Sequence, residues 1–169
     1  MQINKIELKN ISHYARGSEE TPCYNATVYV NGKKAIEVGN DGHGGMDRQD
    51  AWHEKGFDLK EINDWCIKTF GQKSFTYQSD GKEEVCTYDF DLEQFCHDEL
   101  YKWLDARDLR KDLNKKYLFV EDKKLYGYPR KNKNQDVSFK TFFYKKHPSA
   151  KCLNFMSFDD ALKLFKESA

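Results

Sequence analysis

The stretch "YNATVYVNGKKAIEVGN", residues 24–40, decides how the chain begins to fold. Tyr24, Ala26, Val28 and Val30 alternate with polar or exposed-type residues, the period of a half-buried strand. Asn31-Gly32 follows at once. Both residues tolerate the positive φ angles of a type I′ turn, so the pair is a strong hairpin signal, and Ala35 to Gly39 forms the return strand. Upstream, Ile3, Ile6, Leu8 and Ile11 mark another strand. The first third of the chain is therefore β-rich.

Downstream the period changes. Asp58 and Glu61 have capping-box spacing, Leu59, Ile62, Cys66 and Phe70 recur at helical intervals, and Gly71 supplies a stop. "SFTYQSDGKEEVCTYDF" (74–90) reads as two short strands around Ser79-Asp80-Gly81. Asp91 with Gln94 caps a longer helix, whose apolar face is Leu92, Phe95, Cys96, Leu100, Trp103 and Leu104, continuing to Leu109 and Leu113. "KYLFVEDKKLYGYP" (116–129) is a hairpin turning at Glu121 to Lys124. "VSFKTFFY" (137–144) suits a helix through Phe139, Phe142 and Phe143 and equally suits a strand. "AKCLNF" reads as a short strand, and Ser157 with Asp160 caps a last helix that buries Phe158, Ala161, Leu162 and Phe165.

Strand runs do not alternate strictly with helices, so the fold class is α+β, an N-terminal antiparallel hairpin sheet followed by mixed helices and short hairpins. The length of 169 residues fits one domain spanning 1–169, since domains commonly hold ~100 to 200 residues, with lobes drawn at 1–56 and 57–169 where the composition changes. Only 38% of residues are hydrophobic, but 12 Phe, 10 Tyr and 3 Trp bury much area each, so a packed core outweighs disorder.

Lys plus Arg and Asp plus Glu are equal at 28 each, which removes the electrostatic case for non-specific nucleic-acid binding. "MQINKIELKN" lacks an apolar signal core, and no run of residues is long and apolar enough to cross a membrane; the expectation is a soluble, cytoplasmic protein. The cysteines at 23, 66, 86, 96 and 152 are odd in number, widely spaced and without a C-x-x-C pair, the usage of buried reduced thiols rather than of zinc or a disulfide framework.

The segment "VGNDGHGGMDRQDAWHEKG" (38–56) leaves the end of the first hairpin. Gly42, Gly44 and Gly45 allow successive N–H groups to point to one concave side, an anion nest, and His43 adds a donor. No Lys-Ser or Lys-Thr pair opening a helix follows, so this is no P-loop. Trp52, outside any periodic run, either anchors the loop or stacks on a flat ligand. Arg16, in the long connection from Asn10 to Pro22, can clamp an anion bidentately. Asp41, His43, Asp47, Asp50 and His53 offer carboxylate and imidazole, but at no known metal-ligand spacing, and loop acids of this kind are usually solvated. His97 and Glu93 read as an exposed i, i+4 pair. No metal and no cofactor are expected.

Three blocks, "SEETPCYNATVYVNGKK", "NDGHGG" and "CLNFMSFDDALKLFKE", resemble a set of small, functionally uncharacterised proteins encoded by phages and plasmids, a similarity that spans most of the chain. The resemblance implies an accessory role in a mobile element, acting in the host cytoplasm. Some such proteins counter host defence by sequestering nucleotide signals or blocking an effector. It transfers no catalytic residue. The expectation is a non-enzymatic protein that binds an anionic, nucleotide-like ligand through Gly42, His43, Gly44, Gly45, Trp52 and Arg16. The alternatives are a protein-binding inhibitor of a host defence enzyme, and a metal-dependent hydrolase or nuclease using Asp41, His43 and His53. A homo-oligomer with a shared site would explain why one chain shows only half a motif.

Overall fold

The structure, a computed structural model, describes residues 2–52, 56–131 and 133–168. It is α+β, as the sequence pattern predicts. Four strands come first, β1 (Ile6–His13), β2 (Tyr24–Val30), β3 (Lys33–Asn40) and β4 (Arg48–Ala51), and they form an antiparallel sheet in that order. Then follow α1 (Leu59–Phe70), the hairpin β5 (Gln72–Ser79) and β6 (Lys82–Asp89), α2 (Leu92–Lys115), the hairpin β7 (Lys116–Glu121) and β8 (Lys124–Pro129), α3 (Asp136–Lys146), β9 (Lys151–Cys152) and α4 (Phe158–Ser168). Two compact units can be distinguished, Met1–Leu100 and Tyr101–Ala169, with the division inside α2. Among the described residues no helix is long and apolar enough to cross a membrane.

In the first unit the β2–β3 turn takes the expected form, with φ of 50° at Asn31 and 80° at Gly32. Asn31 does more than turn the chain: its Oδ1 accepts from the N–H groups of Asn4 and Lys5, and its Nδ2 donates to the Gln2 carbonyl, tying down the N-terminus. Tyr24, Ala26, Val28 and Val30 are all buried, as their alternation requires. Two features were invisible to periodicity. The β1–β2 register shifts between Lys9 and Ser12, where Asn10 adopts φ 55°, so β1 continues to His13 through a bulge and the connection expected from Asn10 onward is shorter. β4 occupies residues within the expected long loop. Its "RQDA" has no apolar alternation because it is an edge strand held by backbone pairing, Arg48 opposite Gly39 and Ala51 opposite Ile36. The glycine loop proper is thus residues 41–47.

α1 is capped by Asp58, whose carboxylate accepts the Lys60 N–H at 2.8 Å, and ends at Gly71 with φ 72°. Asp91 caps the start of α2 through the Gln94 N–H at 2.9 Å. In the second unit β7 is buried on both faces. Leu118 and Val120 join Leu109 of α2, Ala161 of α4 and Leu153 of the 3-10 turn Leu153–Phe155, while Phe119 on the opposite side joins Phe143, Ala150 and Cys152. This settles the 137–144 segment as helix. Phe139 and Phe143, four residues apart, both meet β7, Phe139 stacking on Tyr117 at 3.7 Å and Phe143 edge-on to Phe119 at 5.1 Å. α4 starts at the predicted cap, with the Asp160 N–H donating to Ser157 Oγ at 3.2 Å. All five cysteines are free; Cys66, Cys96 and Cys152 are buried, Cys23 and Cys86 only partly. Burial pushes the Cys66 thiol up to about 12 and the Cys152 thiol up to about 11, which keeps both protonated and inert at neutral pH.

Candidate functional site

The glycine loop is built from within. The Gly42 carbonyl accepts three successive N–H groups, from Glu19, Glu20 and Thr21, at 3.0, 2.9 and 3.3 Å. A nest does exist here, but it belongs to residues 19–21 and its occupant is the loop's own carbonyl. The loop's N–H groups turn inward as well: Gly42 donates to Asn40 Oδ1 at 2.9 Å, His43 to Asp41 Oδ1 at 3.2 Å and Gly44 to Thr21 Oγ1 at 3.2 Å. Asn40 is the organiser. Its Oδ1 also accepts from the Thr21 hydroxyl at 2.6 Å, and its Nδ2 donates to the Gly45 carbonyl and to Asp47 Oδ1.

Beside this loop lies a cavity of about 500 Å³, lined by Cys23, Asn25, Gly39, Asn40, Asp41, Gly44, Met46 and Arg48. Of the six ligand-binding residues expected from sequence, Gly44 is in its wall, as is Asp41 of the metal set. Gly42 is buried behind it, packed so closely that a Cβ would lie 1.9 Å from the Gly17 carbonyl oxygen. His43 is exposed, its Nδ1 3.2 Å from Glu19 Oε2. Gly45 has φ 83° and open space around it. Arg16 is exposed in a 3-10 turn at Ala15–Gly17, and Trp52 follows β4 with its N–H donated to the Ala35 carbonyl. Neither is among the lining residues. The cation in the wall is Arg48, whose guanidinium reaches Asn25 Oδ1 at 3.2 Å and Asp50 Oδ2 at 2.9 Å and remains largely exposed. Met46, 85% exposed, sits at the rim. Sequence reasoning missed Arg48 because it was read as loop; as the first residue of an edge strand opposite Gly39, it is aimed by the sheet.

A second group of polar residues sits beneath the loop. Asp47, whose side chain is 1% exposed, receives the Tyr24 hydroxyl and lies 3.3 Å from His97 Nε2 through the same oxygen, Oδ2. Its own N–H donates to Glu93 Oε1 at 2.9 Å. Glu93 and His97, one turn apart on α2, therefore both face Asp47, and the exposed i, i+4 pair expected from sequence is replaced by a long-range cluster. The ligand atoms of Asp47, Glu93 and His97 lie within 4.8 Å of one another, so these are the residues of donor type and spacing able to hold a divalent ion. Their hydrogen bonds already close on protein partners, and among the described residues no buried side-chain polar atom lacks one. Of the metal set considered from sequence, Asp41 is exposed, His43 pairs with Glu19, Asp50 pairs with Arg48, and His53 lies outside the described residues.

Burial would raise the Asp47 carboxyl, but the hydrogen bonds from His97 and Tyr24 outweigh it and hold it below the usual range. The hydrogen bond to Asp47 raises His97 above its ordinary value despite burial. Burial, and then the bond to Asp47, keep Tyr24 a phenol at any working pH. The pH dependence follows. Stabilisation from protonated His97 is complete below its unfolded-state value near ~6.5 and is lost as pH rises through the raised folded value; that from ionised Asp47 is present above ~3.9 and lost as pH falls through the lowered one. The melting temperature should therefore fall as pH rises above the ordinary histidine value of ~6.5, and in His97→Gln that slope should flatten, measured by thermal unfolding at matched ionic strength. A slope unchanged in the variant would place the titrating group elsewhere.

Comparison with protein-family models, with curated proteins and with solved structures returns no match to this chain.

Proposed function

We propose that the chain is a non-catalytic binding protein, of the accessory kind found in mobile elements, whose glycine-loop cavity takes a small anionic, nucleotide-like ligand. The supporting observation is the cavity itself: about 500 Å³, within the roughly 300–1,000 Å³ of small-molecule sites, with one guanidinium and two carboxamides in its wall. The anionic group goes to Arg48, whose planar fork matches a phosphate and stays largely exposed beside its bonds to Asn25 and Asp50, rather than to the Gly42, His43 and Gly44 N–H groups, which are taken by Asn40, Asp41 and Thr21. Asp41 shares the wall and repels phosphate, so the ligand's uncharged part faces it, and an exocyclic amino group of a nucleobase would donate to that carboxylate. Asn25 and the Met46 thioether complete polar and apolar contacts.

The test is a thermal-shift series with linear and cyclic nucleotides, with and without magnesium, followed by mass analysis of each mixture. A ligand at ~100 times its Kd stabilises the folded state by about 2.7 kcal/mol. The expected result is a shift with the nucleotide recovered intact, affinity at least ~10-fold weaker in Arg48→Ala, and unchanged affinity in Arg16→Ala. Conversion of the nucleotide would make the chain an enzyme. Absence of a shift across the panel would turn the reading to a protein-binding inhibitor.

A further inference from the structure

The hairpin β5–β6 belongs to neither the cavity nor the buried cluster. Every residue of β5 except Ser79 is exposed, and β6 is exposed but for the partly covered Cys86 and Tyr88. Among the described residues its sheet has two strands, so both outer edges are unpaired. One face carries Phe75 (53% exposed) and Tyr77 (43% exposed), with Tyr88 in contact with Phe75 at 6.1 Å. The other carries Val85 at 66%. A two-stranded ribbon is marginal in water, and long unpaired edges with exposed aromatics are what sheet proteins ordinarily cover or blunt with charge.

We infer that the outer edge of β5 pairs antiparallel with β5 of a second copy, about a two-fold axis at Thr76, to make a four-stranded sheet. The backbone sets the frame. Asp80-Gly81, with φ of 50° and 75°, is a two-residue type I′ turn, so Ser79 and Lys82 form a hydrogen-bonded pair and the N–H and C=O groups of Ser74, Thr76 and Gln78 point outward. Centring on Thr76 joins these groups in reciprocal bonds, Thr76 to its own copy and Ser74 to Gln78. The same register sets Phe75 opposite Tyr77 twice, giving four adjoining aromatic rings on one face, the kind of cross-strand pair that stabilises sheets.

Charge selects β5 over β6 as the joining edge, and a second copy as its occupant. β5 contains Lys73 and no acid, and the proposed register places Lys73 opposite Ser79, so no like charges meet. β6 contains Lys82 against Glu83, Glu84 and Asp89, so two β6 edges brought together gather an excess of negative charge from both copies, whereas two β5 edges bring one well-separated cation each. A two-fold operation on β5 also leaves no further matching edge of that strand, so the assembly closes at two copies.

The decisive measurement is sedimentation equilibrium of the full chain over a wide concentration range, beside Thr76→Pro and Thr76→Lys. The expected result is a reversible monomer–dimer equilibrium, its dissociation constant weakened at least ~10-fold by either variant. Proline removes the central N–H donor, which faces away from β6, and lysine opposes two ammonium groups at the axis. Thr76 is exposed, and far-UV circular dichroism identifies a variant that has lost its fold; Thr76→Lys, which leaves the backbone intact, then decides. A monomer at all concentrations overturns the inference. So does a dimer indifferent to Thr76→Lys, or an open series of larger species.

Discussion

Asp47→Ala is expected to destabilise the protein by about 3 to 5 kcal/mol, the cost typical of removing one partner of a buried charged pair. With alanine there, the Tyr24 hydroxyl, the Asn40 amide and His97 all lose an acceptor at a position where the Asp47 side chain is 1% exposed. A drop in Tm of roughly 10 °C should accompany it. Asp47→Asn keeps the volume but turns one acceptor into a donor, so it should cost less, about 2 kcal/mol. The check is equilibrium denaturation, with a double-mutant cycle against His97→Ala expected to return a coupling of about 1 to 3 kcal/mol. A loss below about 1 kcal/mol in Asp47→Ala would show that the cluster carries no structural weight, and would return attention to it as a ligand site.

Gly42→Ala is the second large effect, expected at about 3 kcal/mol or more. Two costs combine. The backbone is at φ 94°, where an L side chain is strained, and the added Cβ would stand 1.9 Å from the Gly17 carbonyl oxygen and 2.9 Å from Cys23 Cβ. Relief would require parting the loop from the β1–β2 connection and breaking the three N–H bonds to the Gly42 carbonyl. Gly45→Ala isolates the conformational part, since Gly45 has φ 83° and nothing within reach of a Cβ; about 1 kcal/mol is expected there. Chemical denaturation of the two variants side by side measures the difference, and equal losses would refute the steric account.

Local chemistry was what the sequence displayed. Asn31-Gly32, the caps at Asp58, Asp91 and Ser157, and the stop at Gly71 are set by residues within a few positions of one another, and each stands where the pattern puts it. β4 escaped because an edge strand held by main-chain bonds needs no apolar period. Helix and strand could not be separated at 137–144, where the decision belongs to β7, whose Tyr117 and Phe119 accept aromatic rings at helical spacing. The glycine loop was visible as a place, whereas its roles were not. Which way an N–H points depends on Asn40 and Thr21, and Asp47 meets Glu93 across 46 positions. No pattern within the loop could encode a partner on a distant helix.

The Gly42 carbonyl held by residues 19–21 bears on how any ligand would be met. A glycine-rich loop ordinarily samples many shapes, and a molecule that orders it on arrival loses affinity to that ordering. Here the freedom of the glycines is already surrendered when the chain folds, and one wall of the cavity is fixed before anything enters. A ligand recognised at this wall, as proposed, would meet a preorganised surface, with selectivity set by fit rather than by accommodation and encounter free of a slow rearrangement step.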